Sequence, residues 1–299
     1  MAMPLPFPTE LAPPFAIRPS NGFSTEIATV ARLDREEIRR SRWLQASFLL
    51  YGLLAVLFVF AAMRESNVLG YTGTGRVLLS FVHALLLLLP LLALSATSQT
   101  LNRAREDGSF ELLFAQPLSV AGYYTGITLT RAAALLLPLL VLFVAVPVAA
   151  RLAFGDPLPW SYVLRCALVS AALLWCFIGI GLWLSASIAS PARATLAVLL
   201  VWAAAVALLD FALLGVVLEW RLGVKSVFVL AALNPVQCAR LALLSGQDPE
   251  LQSFGPVGFF LAQKLGARGL LALGLGWPAL AGTLAWVAGL RRLRRADLV

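Results

Sequence analysis

Residues 77–97 read VLLSFVHALLLLLPLLALSAT and contain no aspartate, glutamate, lysine or arginine. A bilayer core about 30 Å thick is crossed by about 20 helical residues, each of which rises about 1.5 Å. The stretch therefore predicts a helix that crosses a membrane. Pro90 lies inside it, and proline is tolerated in such helices because neighbouring helices satisfy the freed backbone groups.

Five other stretches have the same character, and together they predict an all-α protein with six transmembrane helices. They cover about residues 43–63, 127–150, 162–187, 194–218 and 270–290. The last is expected to be broken by Gly274, Gly276 and Pro278. The whole chain of 299 residues is 60% hydrophobic and 13% charged, which is too apolar for a core surrounded by water. Lipid must therefore solvate many of its side chains.

The arginines near the predicted spans set the orientation, because basic residues accumulate on the cytoplasmic side. One side of the membrane receives twelve of them: Arg32, Arg35, Arg39, Arg40, Arg42, Arg103, Arg105, Arg193, Arg291, Arg292, Arg294 and Arg295. The other side receives four: Arg64, Arg76, Arg151 and Arg165. Both termini are therefore expected in the cytoplasm. This distribution also accounts for the net charge of +8 without nucleic acid as a partner.

The remaining segments divide around this membrane domain, which covers residues 43–299. Residues 1–23 are proline-rich and predict a disordered tail. Residues 24–42 carry a Glu36–Arg40 pair and a run of arginines, which fit either a cytoplasmic amphipathic helix or a simple positive-inside anchor of span one. Residues 219–269 are expected to form an extracytoplasmic loop with one or two short helices. The alternative is a seventh span at residues 226–244, which is disfavoured because Asn234-Pro235 divides this apolar part into pieces too short to cross.

The sequence does not contain the residues that most enzyme classes need. No nucleotide-binding loop is present, and the single histidine, His83, excludes zinc sites of the HExxH type and Ser-His-Asp triads. The three cysteines show no metal-binding spacing. We expect a non-catalytic membrane subunit with no metal and no cofactor of its own.

The loop at residues 101–126, LNRAREDGSFELLFAQPLSVAGYYTG, is the most informative segment for function. Phe110, Leu113 and Phe114 share one helical face, and Pro117 ends the helix. Such a short amphipathic helix fits the groove of a partner, and it equally fits the surface of a lipid bilayer. Gly122 and Gly126 have GxxxG spacing and allow another helix to approach closely, in a dimer for example.

A resemblance decides between these interpretations. The pattern E-x-G-S-x-E-x-L-x-x-x-P resembles the coupling-helix motif of ABC-2 type transporter permeases. The residues that the resemblance assigns to the coupling helix are Glu106, Gly108, Ser109, Phe110, Glu111, Leu113, Phe114 and Pro117. It implies a dimer of permeases in a bacterial cytoplasmic membrane, clamped by two ATPase subunits that bind ATP and magnesium. The dimer is a homodimer or a heterodimer, and we expect a homodimer.

Within this family the chain resembles the permeases of the copper-processing system that matures nitrous oxide reductase. Asp210-Phe211 and the run from Leu233-Asn234-Pro235 to Ser245-Gly246 carry this finer resemblance. It makes Asn234, Pro235 and Arg240 candidates for contact with a periplasmic partner. A copper path through this chain is not expected, because soft sulfur and imidazole ligands are scarce in it.

A few polar residues fall inside or beside the predicted spans. Asp210 and His83 are expected to face the helix bundle, where each serves either the substrate path or an interhelical hydrogen bond. Arg131 and Arg165 are expected to extend to the membrane interface.

Two other functions stay open alongside an ATP-driven transporter. One is a scaffold that transmits movement to a periplasmic partner while nothing crosses the membrane. The other is a secondary carrier, although the two halves of the chain show no evident repeat.

Overall fold

The structure is a computed structural model, and it describes residues 22–40, 46, 49–53, 56–57, 74–155, 160–208, 232–247 and 255–295. All secondary structure within these ranges is helical, which confirms the predicted all-α class. The proline-rich tail lies outside the described residues, apart from its last two positions.

The helices are numbered here in chain order. They are α1 Phe23–Arg40, α2 Thr74–Thr97, α3 Thr100–Glu106, α4 Ser109–Phe114, α5 Val120–Phe154, α6 Trp160–Ser187, α7 Pro191–Ala203, α8 Pro235–Leu244 and α9 Gly255–Arg295. A π-helical turn, Ala204–Leu208, continues α7.

Four stretches of the described chain are long and apolar enough to cross a membrane. They are Phe81–Glu106, Val120–Ala149, Trp160–Ser187 and Lys264–Arg295, and they correspond to predicted spans two, three, four and six. Predicted span one is represented only by helical residues at 46, 49–53 and 56–57. Predicted span five is described as far as residue 208.

The prediction of a break at Gly274, Gly276 and Pro278 is wrong. The backbone of α9 stays helical at all three positions and instead leaves helical geometry at Gly266, with φ 63° and ψ 171°. Glycine adopts this positive φ without the steric cost that a Cβ atom brings. The continuity at Pro278 agrees with the tolerance of membrane helices for proline.

Helix α6 is buried over more than half of its length and packs against α2, α5 and α9. Its crossing with α9 is close because glycines face each other there. A Cβ atom at Gly282 would lie 2.7 Å from Cys176 Cα and 2.8 Å from Trp175 O. Small residues allow this backbone approach between membrane helices, which must associate by packing because lipid is as apolar as their side chains.

Helix α1 packs against the first turns of α5. Gly122 faces Glu26 and Gly126 faces Val30, and a Cβ atom at Gly126 would lie 2.8 Å from Val30 Cβ. The close approach that the GxxxG spacing predicts is therefore present, and the helix that fills it belongs to the same chain. With 35 residues, α5 is about 52 Å long and exceeds the thickness of the bilayer core. Its first turns can therefore contact α1 outside the core.

The short helix α8 confirms that the apolar segment around Asn234-Pro235 contains a helix of only ten residues. Asn234 caps it, since its Oδ1 accepts a hydrogen bond from Val236 N at 2.9 Å. Pro235 occupies the first turn, where a missing N–H costs nothing. Most of α8 is buried against α6 and α9.

Candidate functional site: a coupling segment at one end of the bundle

The name coupling segment is used here for α3, α4 and the turn between them, residues 100–114. This turn depends on Gly108. Its φ of 69° and ψ of 1° are left-handed geometry, which glycine adopts freely. Ser109 Oγ donates back to Ala104 O at 3.2 Å and closes the turn. The chain therefore reverses sharply and presents α4 as a separate tip. The predicted short helix near Ser109 is confirmed.

The apolar face of α4 turns inward, onto the first turn of α5. Phe110 is 4% exposed, and its ring centroid lies 4.8 Å from that of Phe114 and 5.6 Å from that of Tyr123. Phe114 also packs on Tyr123, at 5.6 Å. This aromatic cluster fixes α4 on the bundle. The face of Phe110, Leu113 and Phe114 is thus occupied by the protein itself.

The opposite face of α4 is open. Glu111 is exposed, and Leu112 is 74% exposed. Ala115, Gln116 and Pro117 continue this surface in the turn that follows. An apolar side chain beside a carboxylate at the tip of a fixed turn is a surface suited to a partner.

The base of the segment is joined to the C-terminal end of α6 by a buried hydrogen-bond network. Ser185 Oγ accepts from Leu101 N at 2.9 Å and donates to Asn102 Oδ1 at 2.8 Å. All three residues are fully buried. A hydrogen bond sheltered from water holds its partners more firmly than one on the surface. A displacement of α3 must therefore move α6 or break this network.

An ion pair ties α1 to the same end of the bundle. Arg131 Nη2 donates to Asp34 Oδ1 at 2.8 Å, and Nη1 donates to Ala96 O at 2.6 Å. The two side chains are 14% and 5% exposed. Arg131 is thus held by α1 and by the end of α2, and its place at the membrane interface stays a prediction. Burial raises the pKa of Asp34 above its ordinary value, although the guanidinium of Arg131 acts in the opposite direction.

A cavity of about 600 Å³ lies between α1 and the coupling segment. Its walls carry charges of both signs, from Asp34, Glu37, Asp107, Arg103 and Arg131. The apolar part of the lining comes from α1, α4 and α5. The open face of α4 and this charged cavity thus lie at the same end of the bundle.

The other residues predicted for this segment occupy its edges. Glu106 is exposed at the end of α3, and Pro117 is exposed after α4. Glu36 pairs with Arg39 at 3.4 Å on the exposed side of α1. The side chain of Arg40, its predicted partner, lies outside the described residues.

The described members of the predicted intramembrane and outer sets make no recorded contact with this site. His83 is partly buried within α2. Asp210 lies outside the described residues, so a contact between the two stays a prediction. Asn234 is buried, caps α8 and donates to Ala205 O at 2.6 Å. Pro235 and Arg240 are partly exposed, and Arg240 Nη1 lies 3.4 Å from Gln237 Oε1.

Sequence reasoning missed Tyr123, Asn102, Ser185 and the Asp34–Arg131 pair. Their one sequence signal is that polar residues occur at apolar helix positions, and this signal names no partner. No group of three or more histidine, cysteine or acidic side chains within the described ranges is arranged to hold a metal ion.

Four long apolar helices of the described chain, packed into one bundle, define a polytopic membrane protein. The chain belongs to the ABC-2 family of transporter proteins, whose family model matches residues 28–298. It is thus a transmembrane permease subunit of an ABC transporter, a class that works with ATP-binding partner subunits.

Two curated relatives are similar over most of their length. The probable ABC transporter permease protein NosY of Stutzerimonas stutzeri is 26% identical over 274 residues, which are 90% of this chain and 99% of the relative. The probable ABC transporter permease protein NosY of Pseudomonas aeruginosa is 29% identical over 234 residues, 74% of this chain and 82% of the relative. The resemblance drawn from the motif is confirmed.

Proposed function

We propose that this permease couples ATP hydrolysis by two partner subunits to the movement of a substrate across the bacterial cytoplasmic membrane. ATP and magnesium bind to the partners. In this proposal the open face of α4 docks on an ATP-binding subunit, and the Ser185 network carries the displacement into the spans. The coupling residues are those of the motif, with Leu112 added to them.

The observation that carries the proposal is the division of α4 into two faces. Phe110 and Phe114 are used by the aromatic cluster, so α4 moves with the bundle and not independently of it. Glu111 and Leu112 stay open for a partner. A helix lying on lipid would place its apolar face toward the bilayer, whereas here that face is covered by the protein.

We also propose six spans with both termini in the cytoplasm. The C-terminal part of α9 supports this, because Gly289 lies against Trp183 of α6 and Tyr124 of α5, near the coupling segment. The N-terminal helix α1 also packs at that end, against the first turns of α5. Two ends of one chain on the same side require an even number of crossings.

The assembly and the substrate are proposed on the resemblance alone. Two ATP-binding subunits call for two permeases, and a homodimer is the simplest arrangement. A role in copper-enzyme maturation, with a periplasmic partner on residues 219–269, follows from the finer resemblance. Asp210 and His83 are the candidates for polar contacts along the substrate path.

A charge reversal on α4 tests the docking proposal. We expect Glu111→Arg to reduce permease-stimulated ATPase activity and transport about tenfold, roughly 1.4 kcal/mol of docking energy, because the partner would meet the opposite charge. The measurement is ATPase activity and transport of the reconstituted complex. Because the side chain of Glu111 is exposed, the substitution should leave membrane insertion and thermal stability unchanged.

Glu36→Arg is the matched control, since it makes the same charge change at an exposed position of α1. It should have a much smaller effect. Full ATPase stimulation in the Glu111→Arg complex would show that α4 is not part of the docking surface.

A further inference from the structure

The central helix α6 is the least interrupted span of the described chain. Pro90 lies in α2, Pro138 and Pro147 lie in α5, and Pro278 lies in α9, whereas α6 contains no proline and no residue outside helical geometry. Proline removes a backbone hydrogen bond and creates a site for bending. Because α6 lacks such a site, a force on one of its ends is passed along it with little bending.

One end of α6 holds the coupling segment. Ser185 lies three residues from the start of the turn that follows α6, and its hydroxyl bonds both the Leu101 amide and the Asn102 side chain. These are the only described hydrogen bonds that join α3 to α6. The buried amide of Leu101 would lose its side-chain acceptor if Ser185 were alanine.

The other end of α6 holds α8. Arg165 Nε donates to Ala242 O at 2.8 Å and Nη2 donates to Ser245 Oγ at 2.9 Å, which fixes the C-terminal end of α8. Nη2 also donates to Ala267 O at 3.0 Å, next to the break of α9 at Gly266. The guanidinium of Arg165 is thus held by acceptors on α8 and α9, and its place at the membrane interface stays a prediction.

The guanidinium of Arg165 donates hydrogen bonds to both α8 and α9. Its planar group has several donors in a fixed geometry, so one side chain sets the position of three acceptors at once. Two of these acceptors end α8, and the third is the first residue after the positive-φ glycine of α9. The C-terminal end of α8 and the part of α9 that follows Gly266 are thus both held by α6.

We propose that α6 is the rod that transmits movement from the coupling segment to α8, with Ser185 and Arg165 as its positioning residues. The two positions are 20 residues apart, which in a helix is about 30 Å, the thickness of a bilayer core. This inference rests on the proposed function, because the movement that α6 transmits comes from the ATP-binding subunits. Rigid elements held at both ends are the parts of a protein that carry such coupling.

The native thiol of Cys238 can be used to detect movement of α8, at the end of α6 that carries Arg165. The chain has three cysteines, all buried, and Cys238 is the one on α8. In the complex with its ATP-binding subunits, we expect the alkylation rate of Cys238 to change roughly 5- to 150-fold between the nucleotide-free and the ATP-vanadate state, the usual range of coupling between two sites. Alkylation is followed by peptide mass spectrometry, while ATPase activity is measured in parallel.

Ser185→Ala should abolish this nucleotide dependence at Cys238 and leave its basal alkylation rate unchanged. Arg165→Gln should raise the basal rate and also abolish the dependence, and Arg165→Lys should restore part of it. Thr195→Val is the matched control, because it removes the hydrogen bond from Gln99 to α7 and leaves α6 untouched. Cys166 and Cys176 on α6 must stay unreactive, which excludes unfolding as the cause.

The outcomes separate the two proposals. If the permease fails to stimulate the ATPase in the wild-type complex, the proposed function is wrong. If stimulation is present but Cys238 responds to nucleotide in the Ser185→Ala and Arg165→Gln complexes as it does in the wild type, α6 is not the rod. The same conclusion follows if Cys238 ignores nucleotide in an active wild-type complex.

Discussion

At the scale of single residues, two glycines of α9 lie in different surroundings. Gly282 meets the backbone of α6 at less than 3 Å from an added Cβ atom, whereas a Cβ atom at Gly276 would meet nothing within 4 Å. Gly282→Ala should therefore lower stability by about 1–3 kcal/mol through overpacking, because the neighbouring atoms are backbone and have little room to move.

Gly276→Ala is the internal comparison for this prediction. It should be neutral, or stabilising by up to about 1 kcal/mol, because alanine favours a helix more than glycine does. Thermal unfolding in detergent, followed by tryptophan fluorescence, measures both variants. Equal midpoints for the two would contradict the close crossing of α6 and α9.

The same scale shows how far the sequence predicts the site. The periodicity of Phe110, Leu113 and Phe114 predicts a short amphipathic helix, and the helix is present. Which face turns inward depends on Tyr123, the aromatic partner on the next helix, and no periodicity within α4 contains that information. For the same reason, the GxxxG spacing predicts a close approach but does not name α1 as the helix that approaches.

At the scale of helices, the Asp34–Arg131 pair decides whether α1 stays docked on α5. Arg131→Gln leaves a buried carboxylate without its cation, which we expect to destabilise the docking by about 3–5 kcal/mol. α1 should then become susceptible to limited proteolysis, monitored by mass spectrometry, while the spans stay protected.

The double variant Asp34→Asn with Arg131→Gln is the decisive control for this prediction. It removes both charges, so it should recover most of the protection that the single variant loses, since amides can bond to each other and to Ala96 O. A double variant as sensitive to protease as Arg131→Gln would mean that the pair does not hold α1.

Helix α9 shows why element boundaries are harder to predict than the elements themselves. Gly274, Gly276 and Pro278 are helix breakers by propensity, yet the helix continues through them in its packed environment. The break occurs at Gly266, beside Ala267, whose carbonyl accepts from Arg165. A contact from another helix, far away in sequence, coincides with the break.

At the scale of the whole molecule, the two ends of the bundle are built differently. The coupling end carries α1, α3 and α4 around a charged cavity, and the far end carries α8, packed on α6 and α9. Composition predicts the four long apolar helices that the structure describes, because hydropathy is a sum over many residues. It does not predict this asymmetry, which depends on a few hydrogen bonds from Ser185 and Arg165.

The central claim is that the open face of α4 meets an ATP-binding subunit, and cross-linking tests it directly. Leu112→Cys places a thiol on this face, and Ser161→Cys places one at an exposed position of α6, at the end opposite to Ser185. We expect a thiol-to-amine cross-linker to join Leu112→Cys, and not Ser161→Cys, to the ATP-binding subunit in an actively hydrolysing complex. The account is contradicted if such a complex yields no adduct from Leu112→Cys, or yields one from Ser161→Cys instead.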